Sequence, residues 1–592
     1  IPIYNIGGAL NRNSTTRANQ NGPKEYGFRG NARNFDLTTV FEKSNGLETA
    51  TYFETIDFYQ NLAQLYPEIA IKEMGKTDSG YPLHLIIFNT DKEFDFKKIQ
   101  KSGKSTLLIN NGIHPGEPDG IDASMLFLRD LAQNKKLKNQ FKNTVIFIIP
   151  IYNIGGALNR NSTTRANQNG PKEYGFRGNA RNFDLNRDFI KSDTKNMLAF
   201  AAIFHQINPD IFVDTHVSNG ADYQYTLTHL FTQHNKLGES LGSFLHDKMM
   251  PDILDDLNNK NIPATPYVNV FNTSPDKGFS QYFDSPRYST GYTTLFNTLG
   301  VMIETHMLKS YPKRVEVTYE FLWSSLQFLS KNGQEIKLKR TIANQEFQSM
   351  KTYPIQWEID STKTSKLQFK GYEASYKKSE VTGLNRLFYD QTKPFDKEII
   401  YYNYFKPAKE IEIPLAYIIP KVWWNVIDLL KANHIEMTVF DKDTTLLVDT
   451  YQIIDFKSRV KPYEGHFPHY QIKTNSIKKE LKFLKGDYFV STKQNGIRYL
   501  IETLEPEAPD SFFSWNFFDT ILQEKEGFSP YVFEETAKEI LKSNKHLNDL
   551  FEHKKNSDES FRKNASAQLQ FIYKNSEFAE SSYLIYPIYR IH

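Results

Sequence analysis

Four short, nearly continuous apolar runs mark the first half of the chain, at residues 106–109, 144–149, 211–214 and 301–303. Each is too short for a helix and lacks the in–out alternation of a half-exposed strand. Such runs suit strands covered on both faces, as in a parallel or mixed sheet. Helical patterns stand between and around them. Phe53, Ile56, Phe58, Tyr59, Leu62 and Leu65 recur in a helical pattern that is ended by Pro67. Ile121, Met125, Leu128 and Leu131 form a second stripe, and Val315, Tyr319, Leu322, Leu326 and Leu329 a third. The turn-rich stretch 75–82 precedes a further strand at 83–88. This alternation predicts an α/β domain with its chemistry outside the carboxyl ends of the strands.

Several classes of function are excluded by composition. The 592 residues carry 72 basic and 69 acidic side chains, a net charge of +3, which gives no reason to expect a nucleic-acid partner. There is no cysteine, so disulfides, cysteine–zinc sites and thiol nucleophiles are absent. The best apolar run, 145–154, contains Pro150 and falls short of the roughly 20 residues of a membrane span, so no transmembrane segment is expected. No signal-peptide pattern opens at Ile1.

Residues 1–37 repeat residues 149–185 without a single change, and the identity stops where Thr38 stands in place of Asn186. Structural repeats diverge because their surroundings differ, so the first copy reads as an artefact or an extra segment without a second active site. The catalytic domain is expected over 38–334. Beyond Asn332-Gly333 the texture changes, with short strand-like runs at 336–338, 399–402 and 437–440 and a helix around 424–432. Residues 335–511 read as a β-rich accessory domain and 512–592 as a mainly helical region.

Four clusters at the ends of the expected strands carry chemistry. His114-Pro115-Gly116-Glu117 places an imidazole and a carboxylate on one tight loop, and Asp214-Thr215-His216 closes a strand with a second imidazole. Two histidines and a glutamate with an open fourth position form a catalytic zinc set. Asp184-Leu185-Asn186-Arg187, preceded by Arg177 and Arg181, offers guanidinium and amide donors suited to a carboxylate. Glu304 follows the apolar run 301–303. Taken singly, each cluster also fits a surface loop, a structural histidine or an ordinary ion pair.

Taken together, the order, spacing and setting of the four clusters resemble the M14 family of zinc metallocarboxypeptidases over residues 53–329. The resemblance implies a mixed eight-stranded sheet flanked by helices; the β-rich and partly helical C-terminal accessory region lies outside the residues it covers. It also implies one zinc ion per chain on His114, Glu117 and His216, with Asp184 orienting the His114 imidazole. Asn186 and Arg187 would bind the substrate's terminal carboxylate, Glu304 would be the general base, and Arg177, with Arg181 as rival, would polarise the scissile carbonyl. The implied activity is hydrolysis of the C-terminal peptide bond of a peptide with a free carboxylate, by a zinc-activated water. A secreted or periplasmic setting is expected.

Further expectations concern the rim of the cleft. Tyr282, Tyr288 and Tyr292 compete for the family's mobile tyrosine. Arg287 either favours an acidic terminal residue or serves structurally. The polar loop 155–178 rims the cleft, and His306 is structural. Two rival readings are a zinc deacylase acting on N-acyl amino acids and a degenerate peptidase fold used for binding.

Overall fold

The computed structural model describes residues 36–592. The expectations for the duplicated segment fall almost entirely on residues 1–35, outside the described residues. The apolar runs all become strands, and the strands of the first half are β1 (Ile69–Lys76), β2 (Pro82–Phe88), β3 (Ser105–Asn110), β4 (Thr144–Ile149), β5 (Ile211–Ser218), β6 (Leu227–Phe231), β7 (Ala264–Pro266), β8 (Phe279–Ser280) and β9 (Leu299–His306). All but β8 join in one mixed eight-stranded sheet of order β1-β2-β4-β3-β5-β9-β6-β7. Its centre, β4-β3-β5-β9, is parallel.

Alternate residues of these strands feed two cores, as the period of two requires. Leu107, Ile109, Ile146 and Ile148 pack with the helices Tyr52–Leu65, Asp119–Gln133 and Tyr311–Ser349. Leu108, Val145, Phe147 and Ile149 face the helix Lys195–Ile207 and, beyond it, residues of the C-terminal region such as Val426, Tyr499 and Trp515. The second face of the sheet is therefore covered in part by the accessory region, and the central strands are buried on both faces as predicted.

The helix Tyr311–Ser349 corrects one expectation. It runs unbroken through Asn332-Gly333 and through 336–338, which were expected to begin a strand. Gly333 is there for close approach: a Cβ would stand 1.8 Å from Ser105 Oγ. Ile336 is buried in the core and Arg340 pairs with Asp210 at 3.0 Å, so tertiary contacts carry the helix past a residue of poor helix propensity.

The accessory region holds a six-stranded sheet, in which the strand Tyr589–Ile591 pairs with both Ala416–Ile419 and Thr444–Ser458. The helix Trp424–Ala432 is present as read. Residues 512–518, expected to open a helical stretch, are instead turns whose Phe512, Phe513, Trp515 and Phe518 are all buried; a short 3-10 segment follows at Asp519–Leu522 and α-helices begin again at Pro530. With side chains buried on every side, this segment has no single face to present and no helical stripe to form. Among the described residues no helix is long and apolar enough to cross a membrane.

One buried histidine gives the fold a pH signature. His229 in β6 is 3% exposed, and burial alone pushes its pKa down to about 3 from 6.5. The folded side chain stays neutral where the unfolded one is charged, so its contribution is full above pH 6.5 and is lost as pH falls from 6.5 towards 3. The slope is about 1.4 kcal/mol per pH unit. Denaturation of wild type and His229→Gln at pH 7 and pH 5 should show the variant losing less stability on acidification. Parallel losses would refute this.

Candidate active site

The turn after β3 brings the first two functional residues together. The Glu117 N–H donates to the His114 carbonyl at 2.8 Å, closing the loop immediately before the helix Asp119–Gln133. His216 comes from β5 and Glu304 from β9, and the two are register partners in adjacent parallel strands. Their side chains therefore leave the same face of the sheet at its carboxyl end.

One ligand atom from each of His114, Glu117 and His216 lies within 4.8 Å of the others, and all three residues are buried. His114 Nδ1 is 3.3 Å from Glu117 Oε1, and His216 Nδ1 is 3.1 Å from Glu117 Oε2. Each imidazole donates outward through Nε2, His114 to Asp184 at 2.9 Å and His216 to Asp214 at 3.0 Å. Such carboxylate tethers fix the tautomer and turn the Nδ1 lone pairs toward one point. Burial opposes charge on Glu117, but Arg165 and His114 outweigh it and hold its carboxyl well below the usual range. For His216 burial is likewise outweighed, by Asp214 and Glu117, which push its pKa up to about 10. The spot favours positive charge, and two imidazoles plus a carboxylate with an open side match the donor set of a catalytic zinc ion.

These residues line a cleft of about 640 Å³ that also receives Arg165, Arg177, Asn186, Arg187, Tyr282, Tyr288 and Glu304. Burial first, and then the Glu117 charge, push the Glu304 carboxyl up to about 7 against the pull of His216 and the two arginines. Arg177 spans Asp184 through Nε at 3.0 Å and Nη2 at 2.8 Å, while its Nη1 lies 3.6 Å from Glu117. Arg187 rests 4.6 Å over the Tyr288 ring. Asn186 accepts the Ser289 N–H on Oδ1 at 3.1 Å, which leaves its NH₂ group as a donor.

The competing candidates separate cleanly. Arg181 turns away, donating to the Asp193 carbonyl at 3.1 Å. Tyr282 and Tyr288 line the cleft, whereas Tyr292 is fully buried against Asn433. Arg287 holds Asp510 of the accessory region at 2.7 Å and does not reach the cleft, so it is structural. His306 is buried and bonds the Ala221 carbonyl at 3.0 Å. Residues 164–168 of the polar loop do rim the cleft.

Sequence reasoning missed Arg165, whose Nη1 lies 2.8 Å from Glu117 Oε1. Nothing in the loop's composition distinguishes it from its neighbours. It also passed over Asp214 as the His216 partner, although residues two apart on a strand share a face.

Residues 55–215 match the profile of the M14 peptidase family, described as zinc carboxypeptidase. That segment is an M14 zinc carboxypeptidase domain. Carboxypeptidase 2 of Trichophyton rubrum is 22% identical over 495 residues, spanning 80% of this chain and 85% of the relative. A probable carboxypeptidase 2 of Arthroderma benhamiae is 27% identical over 179 residues, 29% of this chain and 30% of that one. Among solved structures, a metallo-carboxypeptidase from Burkholderia cenocepacia aligns at 16% identity and TM-score 0.35 over 46% of this chain and 68% of its own. Carboxypeptidase A from Helicoverpa armigera aligns at 13% identity and TM-score 0.37 over 48% and 74%. This carboxypeptidase is a peptide-bond hydrolase, and its buried His114, Glu117 and His216 form a group fit for the family's zinc ion.

Proposed function

We propose that the enzyme is an exopeptidase that removes the C-terminal residue from peptides with a free carboxylate. The observation that carries this reading is the convergence of two cation-and-amide donors, Arg187 and Asn186, with the His114–Glu117–His216 group and Glu304 in one cleft. His114, Glu117 and His216 would hold the zinc ion, which when bound would supply Lewis acidity and lower the pKa of water enough for it to give up a proton near neutral pH. Asp184 and Asp214 keep the two imidazoles in the ligating tautomer.

Arg187 and Asn186 bind the terminal carboxylate and so count one residue from the chain end. Glu304 accepts a proton from the attacking water and returns it to the leaving amine; a carboxyl poised near neutrality suits both directions. Arg177 stabilises charge on the scissile carbonyl oxygen from its place against Asp184, and Arg165 flanks it.

A free-acid peptide and its C-terminal amide test the reading directly. Wild type should prefer the acid by on the order of 10–100-fold, the worth of a hydrogen bond to a charged group. Arg187→Ala should lose most of that preference, and a chelator should abolish turnover of both peptides. Equal cleavage of acid and amide by wild type would refute the exopeptidase reading.

A further inference from the structure

The turn that carries Asp184, Asn186 and Arg187 is braced from outside the catalytic domain. Its 3-10 segment, Leu185–Arg187, is capped by the Asp184 side chain, which accepts the Asn186 N–H at 3.0 Å. The same carboxylate is occupied by His114 and Arg177. The Asp184 backbone N–H points elsewhere and donates to Glu464 Oε2 at 2.8 Å.

Glu464 sits at the tip of the long hairpin formed by the accessory strands Thr444–Ser458 and His469–Phe483. The tip is closed by reciprocal backbone bonds between Tyr463 and His466, of 2.8 and 3.1 Å. Gly465 adopts φ +80° and presses on the turn: a Cβ there would stand 3.0 Å from the Phe183 ring. On the far side of the turn His466 meets Asp193 at 2.7 Å. Tyr463 stacks on Trp515, and Trp515 lies 5.0 Å beneath Arg287, the residue before the Tyr288 on which Arg187 rests.

We infer that the hairpin tip 463–466 belongs to the substrate-binding apparatus, with Glu464 as a positioning residue that sets the Asp184–Arg187 turn. The inference rests on the roles proposed above for Asp184 and Arg187. A three-residue 3-10 segment has little internal stiffness. The turn's three functional side chains, Asp184, Asn186 and Arg187, must still be held closely, because small misplacements of binding groups cost large factors in rate. The brace acts by placing an acceptor oxygen at the right reach, and charge is secondary.

Three variants of the full-length, zinc-loaded enzyme separate reach from charge. Glu464→Gln keeps an acceptor at the same distance, Glu464→Asp keeps the charge but withdraws the oxygen by one methylene, and Glu464→Ala removes both. Alanine and aspartate should lower kcat/KM on a free-acid peptide on the order of 10–100-fold, the usual effect of losing an outer partner of a metal site. Glutamine should stay close to wild type. The loss should be larger on the free acid than on the amidated peptide, since Arg187 is displaced; a general structural defect would lower both alike. Melting temperatures should match wild type, as should the activity of Lys478→Ala, an exposed site elsewhere on the hairpin. Wild-type kcat/KM in alanine and aspartate, or activity that follows the charge and not the acceptor, would overturn the inference. If wild type itself shows no preference for the free acid, the exopeptidase reading falls and this inference with it. If that preference is present and Glu464→Ala is unchanged, only the hairpin's role falls.

Discussion

Glu304→Gln should yield a folded protein that binds peptide and metal yet turns over about 10²–10⁴-fold more slowly, the range that general base catalysis supplies. The substitution keeps the volume and one hydrogen-bonding oxygen but removes the proton acceptor. The carboxyl lies in the cleft that holds His114, Glu117 and His216, and burial raises it to about 7, near the pH at which it must take up the proton. The loss should appear in kcat, with KM little changed, because water activation matters only on the way to the transition state. Zinc content measured beside the kinetics separates this outcome from metal loss. Full turnover in Glu304→Gln with stoichiometric zinc would remove Glu304 from the mechanism.

The second large effect is on stability. Arg314 is fully buried and pairs with Asp119 at 3.0 Å while donating to the carbonyls of Asn169, Gly170 and Lys309 at 2.8–2.9 Å. Arg314→Met would leave the Asp119 charge and three carbonyls without their partner, a loss of about 3–5 kcal/mol. Chemical denaturation at neutral pH should show the unfolding midpoint falling accordingly. Adding Asp119→Asn to Arg314→Met should cost less than the sum of the two single changes, since the second removes a charge already stranded. Strict additivity, or a loss of less than about 1 kcal/mol, would contradict the buried-pair argument. Activity should fall as well, because Asn169 and Gly170 anchor the loop that carries Arg165, and Thr305, next to Glu304, hydrogen bonds Asp119.

What was legible in the sequence follows from range. The strands and their neighbouring helices are written in local apolar periodicity, and the runs at 144–149 and 211–214 needed no knowledge of the rest of the chain. His114 with Glu117, and Asn186 with Arg187, could be picked out because each pair sits at fixed local spacing, and both pairs line one cleft. Gly333 misled for the opposite reason: it looks like a helix end, but a contact with Ser105, far away in the chain, explains it. Arg165 was hidden in a loop with no periodicity. The bond from Asp184 to Glu464 joins residues 280 positions apart, and no pattern in either segment announces the other.

The small strand Tyr589–Ile591 has a consequence for how the chain assembles. It fills the gap between Ala416–Ile419 and Thr444–Ser458, which precede it by more than a hundred residues. During synthesis those two strands must wait with unsatisfied edges until the last of the three emerges. Pairings so distant in sequence close slowly, and open edges invite association with other chains in the meantime. The hairpin that touches the catalytic turn is built on one of the waiting strands. A ribosome-bound chain that already contains every residue of the cleft but not Tyr589–Ile591 would therefore hold it without its final brace, and activity should switch on only when this sheet is sealed.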